Sequence, residues 1–176
     1  MNTKARIETK SLMLMALFVA LSFAGANIRI FGSIAFDSLP GFLAALMFGP
    51  VYGAIIGFLG HLLTALISGF PLSVPLHLVI ALSMAITMLG FGGVYRALRE
   101  KISMAGNLCI TGIVGLALNA PFSLSLSIGA LYLMAGREAA FGLLALLPFL
   151  VFAAVANIVL AMILFKSLER VWDKIR

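Results

Sequence analysis

Charged side chains are scarce in this sequence. They make up 10% of its 176 residues, whereas 63% are hydrophobic and the mean hydropathy is +1.19. An ordinary soluble domain carries roughly 25% charged residues. The composition therefore excludes a soluble globular domain and predicts a protein that lies in the lipid bilayer.

Cysteine is almost absent, because Cys109 is the only one in the sequence. A single thiol excludes an intramolecular disulfide and any zinc site built from cysteines. The sequence also has no G-x-x-x-x-G-K-[ST] loop, which would cradle a nucleotide phosphate. If this protein moves a solute uphill, a partner protein must therefore supply the energy.

Acidic residues are few, and none falls in the middle of a predicted membrane span. The six acidic residues are Glu8, Asp37, Glu100, Glu138, Glu169 and Asp173. Secondary transporters that are coupled to protons or cations usually place ionisable groups within their spans. A cation-coupled carrier is therefore disfavoured.

Long apolar runs dominate what is present. About six helices of about 20 residues would fit into this length with short connections. The predicted runs are 11–27, 38–48, 51–68, 74–95, 103–121 and 141–165. We predict an all-α integral membrane protein, with residues 1–176 forming one domain as a compact bundle of six transmembrane helices.

The second run is too short to cross the bilayer alone. It begins at Ser38-Leu39-Pro40, with Ser38 or Asp37 as N-cap and Pro40 in the first turn. About eleven helical residues span roughly 16 Å, whereas the hydrocarbon core is about 30 Å thick. Either the preceding residues supply the missing depth or the helix starts earlier. We expect Ile28–Ser38 to form a loop that lines an outward-facing cavity, because irregular backbone at membrane depth needs such surroundings.

Basic residues set the orientation. Of the twelve Lys and Arg, all but Arg29 and Arg137 fall on one side of a six-span arrangement. The positive-inside rule then places both termini in the cytoplasm. The net charge of +6 does not indicate nucleic-acid binding, because the basic residues sit at the ends of apolar runs. A cleaved signal peptide ending near Ala24-Gly25-Ala26 is the alternative for the first run.

Small residues recur at every fourth position in two of the predicted spans, which allows close helix approach. One row lies in the first span and comprises Ala16, Ala20 and Ala24. The other row lies in the third span and comprises Gly49, Gly53, Gly57, His61, Ala65 and Gly69. We interpret the glycine row as intramolecular packing, and leave both packing and partner docking open for the alanine row.

Three motifs give the chain a family resemblance. They are Ala16-x-x-x-Ala20, Phe36-Asp37-Ser38-Leu39-Pro40 and Phe48-Gly49-Pro50-Val51-Tyr52-Gly53-Ala54. With six spans and cytoplasmic termini, the chain resembles the S-components of energy-coupling factor (ECF) vitamin transporters. The resemblance covers the whole chain in architecture, although its motifs occupy mainly the first hundred residues.

The resemblance implies a multi-pass binding protein of a prokaryotic cell membrane, without enzymatic activity, cofactor or metal. Its partners would be a small vitamin or precursor, membrane lipid, and a transmembrane coupling protein driven by two ABC ATPases. Docking onto the coupling protein would use Ala16, Ala20 and Ala24. An autonomous carrier or channel is a further alternative, whereas an intramembrane enzyme would need a second ligand or base near His61.

The candidate solute contacts are polar residues and one methionine, which lie in or beside the first loop and from the fourth span onward. They are Asn27, Arg29, Asp37, Ser38, His77, Met84, Asn119, Tyr132 and Asn157. Instead of contacting the solute, His77 could equally hydrogen-bond to a neighbouring carbonyl, and Asn157 could contact another helix. Residues 121–138 are predicted to form an outer gate, either as an extended segment or as a helix end.

Lys and Arg form no cluster on the outer side, so a neutral, aromatic, hydroxylated solute is favoured over a polyanion. The segments Gly60-His61-Leu62 and Gly69-Phe70-Pro71-Leu72 most resemble S-components for α-ribazole, a cobalamin precursor. α-Ribazole is therefore the predicted solute. Riboflavin, pantothenate and hydroxymethylpyrimidine are the alternatives.

Overall fold

Helices account for most of the chain. The computed structural model describes residues 3–31 and 34–175. Within these ranges the α-helices are α1 (Thr3–Gly25), α2 (Leu39–Met47), α3 (Pro50–Ile67), α4 (Val74–Leu98), α5 (Met104–Ala117), α6 (Ser123–Gly142) and α7 (Leu147–Ile175). A π-helical turn, Leu118–Phe122, joins α5 to α6, and a 3-10 turn, Leu143–Leu146, joins α6 to α7.

The predicted helix boundaries between residues 38 and 103 are confirmed to within a few residues. Pro50 and Pro75 lie in the first turns of α3 and α4, where the missing N–H costs nothing. Ser73 and Ser103 cap α4 and α5 by accepting backbone N–H groups through their hydroxyl oxygens. Local capping and proline signals were therefore sufficient for α3, α4 and the start of α5.

The segment before α2 is more regular than predicted. Strands β1 (Arg29–Phe31) and β2 (Ile34–Ala35) form an antiparallel ribbon in which Arg29 faces Ala35. The expectation of an irregular loop over Ile28–Ser38 is wrong in this part. Antiparallel pairing lets the two strands satisfy each other's backbone N–H and C=O groups.

The segment 121–138, for which we left two conformations open, is helical. The π-helical turn contains Pro121, so the helix continues past it with one widened turn. Ser123 and Ser127 are buried and Ser125 is exposed, as expected for one helical face, so the serine alternation is not that of a strand. Gly136, at φ 85° and ψ −177°, then interrupts the helix.

Three helical stretches are long and apolar enough to cross a membrane: Pro50–Ile67, Val74–Leu98 and Met104–Glu169. The last contains 66 residues, about 100 Å of helix, which is more than one bilayer thickness. Ser11–Gly25 is a shorter apolar helix. The six-span count and the cytoplasmic position of both termini stay predictions.

Helix α2 lies at the centre of the packing, and residues 40–46 are all buried. Glycines of α3 permit the close approach of α2 and α4. A Cβ atom added to Gly53 would lie 2.5 Å from the Cβ of Ala45, and one added to Gly57 would lie 2.9 Å from Met88 Cγ. The packing interpretation of the glycine row is confirmed at these two positions.

Candidate functional site

A cavity of about 90 Å³ lies among the ribbon, the start of α2, and helices α3, α4, α6 and α7. Its polar lining residues are Asp37, Ser38, His61, Asn119, Ser123, Ser127 and Asn157. Its apolar lining residues are Ala35, Leu72, Ile80, Met84, Leu124, Leu143, Leu146, Leu150, Ala153 and Ala154. A mostly apolar cavity with a few converging polar groups is typical of small-molecule sites.

Asp37 places a buried carboxylate in the cavity wall. Thr64 Oγ1 donates a hydrogen bond to Asp37 Oδ2 at 2.7 Å, and Ser38 Oγ donates to Oδ1 at 3.2 Å. Thr64 and His61 project from the same face of α3, and His61 Nδ1 lies 3.8 Å from Asp37 Oδ2. These donors compensate for part of the lost hydration, which allows a carboxylate to occupy an otherwise apolar region.

His61 and His77 form a buried pair. His61 Nε2 and His77 Nδ1 are 3.1 Å apart, so one ring nitrogen donates a hydrogen bond and the other accepts it. The two rings are stacked, with centroids 5.3 Å apart. His77 is fully buried behind His61 and its Nε2 has no partner among the described residues. His77 therefore supports His61, which itself lines the cavity.

Asn157 joins α7 to the ribbon and to α2. Its Oδ1 accepts a hydrogen bond from the Leu39 N–H at 2.8 Å, and its Nδ2 donates to the carbonyls of Ala35 and Ala153. Ser38 occupies the N-cap position of α2 but makes no side-chain cap bond, because its hydroxyl bonds to Asp37. The cap that the sequence assigned to Ser38 or Asp37 thus comes from Asn157.

Asn119 reaches the cavity from the π-helical turn. Its amide makes no hydrogen bond to the residues that the structure describes, and so it can pair with a bound molecule. One turn later, Ser123 Oγ lies 2.6 Å from Ser83 Oγ, and Ser127 Oγ donates to the Ser123 carbonyl at 2.8 Å. Among these three polar residues, Asn119 is the one whose side chain makes no hydrogen bond to the described residues.

The structure gathers five of the predicted contacts around the cavity and places others elsewhere. Those in the lining are Asp37, Ser38, Met84, Asn119 and Asn157. Asn27 is exposed and donates to the Phe23 carbonyl within α1, while Tyr132 on α6 is 52% exposed and outside the lining. The side chain of Arg29 lies outside the described residues.

Sequence reasoning left His61, Ser123 and Ser127 out of the candidate contacts. His61 did interrupt the row of small residues in the third span, which was a usable signal. Ser123 and Ser127 are four residues apart and share a helical face, but this became visible only once the segment was known to be helical.

The alanine row of α1 lies on the outside of the bundle. Ala16, Ala20 and Ala24 are exposed, whereas Phe18 is 7% exposed and packs edge-to-face on Phe48. The row is therefore open to a partner helix. In the described ranges no group of three or more His, Cys, Asp or Glu residues is arranged to hold a metal ion.

These features define a helical membrane protein with an internal binding cavity. A family model described as "ECF-type riboflavin transporter, S component" matches residues 6–170, and the chain belongs to this family of ECF transporter S components. A solved structure described as the S component of a bacterial ECF transporter has the same fold. It is 20% identical with a TM-score of 0.62, and the match covers 93% of this chain and 97% of the other. No curated protein matches the chain.

Proposed function

We propose that this protein captures a small, neutral vitamin or vitamin precursor from outside the cell and passes it to an ECF module. The observation that carries the proposal is the cavity, in which buried polar groups face a largely apolar wall within a membrane bundle. The module would comprise a transmembrane coupling protein and two ABC ATPases. The ATPases would supply the energy, since this sequence has no phosphate loop with which to hydrolyse ATP.

The exposed alanine row on α1 is the proposed docking face. Ala16, Ala20 and Ala24 offer a smooth strip along which a helix of the coupling protein can approach closely. On the opposite side, Phe18 holds α1 to the bundle through Phe48. The docking face and the cavity therefore use different surfaces, so each function can be tested without the other.

Riboflavin is the first candidate solute. The matching family model is named for riboflavin transport, and the free amide of Asn119 offers one donor and one acceptor side by side. The isoalloxazine ring of riboflavin presents an N–H beside a C=O, which is complementary to such an amide. The benzimidazole of α-ribazole has no N–H and C=O pair of this kind.

α-Ribazole is the second candidate, because the segment Gly69-Phe70-Pro71-Leu72 resembles its S-components and Leu72 lines the cavity. Pantothenate and hydroxymethylpyrimidine follow. The cavity of about 90 Å³ is smaller than the roughly 300 Å³ at the lower end of ligand pockets. Binding of any of these solutes therefore requires the lining to move apart.

Titration of the purified protein with each candidate tests the proposal. Quenching of flavin fluorescence reports riboflavin binding, and calorimetry reports the other three. We expect saturable binding of riboflavin without any partner protein. Absence of binding to riboflavin, α-ribazole and hydroxymethylpyrimidine, the three neutral candidates, would contradict the proposed solute class. Accumulation of solute by the isolated protein in ATP-free liposomes would contradict the S-component role.

A further inference from the structure

Both N–H donors of the Asn157 amide are used by the protein itself. Its oxygen accepts the Leu39 N–H at 2.8 Å, and its nitrogen donates to the Ala35 carbonyl at 3.2 Å and the Ala153 carbonyl at 2.8 Å. An asparagine side chain has two N–H donors, and both are used here. Although Asn157 lines the cavity, it has no donor left for a solute.

The hydrogen bonds of Asn157 hold a short segment at both of its ends. Ala35 and Leu39 are bonded to the same amide, and between them lie Asp37 and Ser38, which line the cavity. The Leu39 N–H belongs to the first turn of α2, where no earlier residue of the helix can accept it. Ser38 does not cap it, since its hydroxyl donates to Asp37.

We infer that Asn157 is a positioning residue, which acts on the solute through Asp37 and Ser38 rather than by touching it. Its amide holds residues 35–39 against α7 and so determines the positions of the Asp37 carboxylate and the Ser38 hydroxyl in the cavity wall. The effect on solute rests on the proposed function. The effect on the 35–39 segment does not, because it is a property of the protein alone.

The test compares Asn157→Ala with the unchanged protein by two measurements. The first is hydrogen exchange of the peptide containing Leu39, without solute. We expect its exchange to become about ten-fold faster or more, as the loss of a buried hydrogen bond implies. The second is solute dissociation, for which we expect the same fold-increase for riboflavin and for a second solute that binds.

Asn107→Ala is the matched control. Asn107 is also a buried asparagine, with Nδ2 donating to the Tyr95 carbonyl at 2.9 Å and Oδ1 accepting from Thr111 at 3.0 Å, but it does not line the cavity. We expect this variant to lose thermal stability without changing exchange at Leu39 or solute dissociation. A general loss of stability is thereby separated from a loss of positioning.

Asn157→Asp provides a second variant if the alanine variant fails to fold. A carboxylate keeps an acceptor for the Leu39 N–H but loses both donors, so we expect Leu39 to stay protected. Exchange at Phe36 should become faster, because its N–H shares a peptide group with the Ala35 carbonyl and bonds to the Ile28 carbonyl at 3.2 Å. Unchanged exchange at Leu39 in Asn157→Ala, or at Phe36 in Asn157→Asp, would overturn the inference. Losses of affinity that differ between solutes according to their functional groups would also overturn it, since they indicate direct contact.

If the unchanged protein binds none of the candidate solutes, the proposed function fails, and hydrogen exchange alone decides the role of Asn157.

Discussion

At the residue scale, the polar groups of the cavity differ in whether they hydrogen-bond to the protein. Asp37 is held by Thr64 and Ser38, and Asn157 by three backbone groups. Asn119, in contrast, faces the cavity without a hydrogen bond to any described residue. Selectivity for a solute should therefore depend more on Asn119 than on the residues that build the wall.

The first prediction concerns Asn119. Asn119→Ala should weaken riboflavin binding by about 1–3 kcal/mol, because a hydrogen-bonding group of the solute is left unpaired in a buried site. α-Ribazole, which has no N–H and C=O pair to lose, should be affected less. Calorimetry with both solutes measures the difference. Asn27→Ala is the matched control, since Asn27 is an exposed asparagine just after α1 and outside the lining, and an equal loss in both variants would contradict the prediction.

The second prediction concerns the support of Asp37. Thr64→Val keeps the size of the side chain but removes the donor 2.7 Å from Asp37 Oδ2. Asp37 Oδ2 then loses its donor, and only the Ser38 hydrogen bond to Oδ1 remains, so the free energy of unfolding should fall by about 1–3 kcal/mol. The midpoint of thermal unfolding in detergent reports this change.

Thr87→Val serves as the control for that substitution. Thr87 is equally buried, but its hydroxyl donates only to the Ser83 carbonyl one turn earlier in its own helix. The fall in the free energy of unfolding should be smaller, because no carboxylate oxygen loses a donor. A larger loss in Thr87→Val than in Thr64→Val would show that the Asp37 hydrogen bond is not what stabilises this region.

At the element scale, most of the fold was predictable because its signals are local. Ser103 indicated the start of α5, and Gly49-Pro50 indicated the break between α2 and α3. The cavity was harder, because Asn157 caps α2 from 118 positions away and His61 meets His77 across two helices. Such pairings follow from packing and leave no pattern in one sequence.

The π-helical turn shows the same limit. Pro121 indicated a disturbance in the helix, but not whether the chain would stop, kink or widen one turn. Widening keeps α5 and α6 continuous, so Ser123 and Ser127 fall on the buried face and Asn119 faces the cavity. Ser123 and Ser127 were therefore missed, because the sequence does not determine the backbone conformation at Pro121.

The third prediction concerns the contact between α2 and α3. Gly53→Ala should reduce the free energy of unfolding by about 1–3 kcal/mol through overpacking. The added Cβ would lie 2.5 Å from Ala45 Cβ and 2.9 Å from the Gly41 carbonyl oxygen. Gly93→Ala is the control, because an added Cβ there meets nothing within 4 Å. Equal unfolding midpoints for the two variants would contradict the close packing of α2 on α3.

At the scale of the whole molecule, the proposed binding cavity and the proposed docking face occupy separate surfaces of the bundle. The cavity opens among α2, α3, α4, α6 and α7, whereas the alanine row runs along the exposed side of α1. Helix α1 packs on α2 and α3 through its other side, where Phe18 meets Phe48. A substitution on the exposed side should therefore leave the cavity intact.

The fourth prediction uses this separation. Ala16→Leu or Ala20→Leu should leave riboflavin affinity unchanged but abolish uptake, because a branched side chain on the exposed strip of α1 prevents close approach of the coupling helix. Binding is measured on the purified protein, and uptake in liposomes that also contain the ECF module and internal ATP. Ala139→Leu, an exposed alanine on α6, is the matched control and should retain both activities. Full uptake by both α1 variants would place the docking face elsewhere, and loss of solute binding by either would show that α1 supports the cavity rather than a partner.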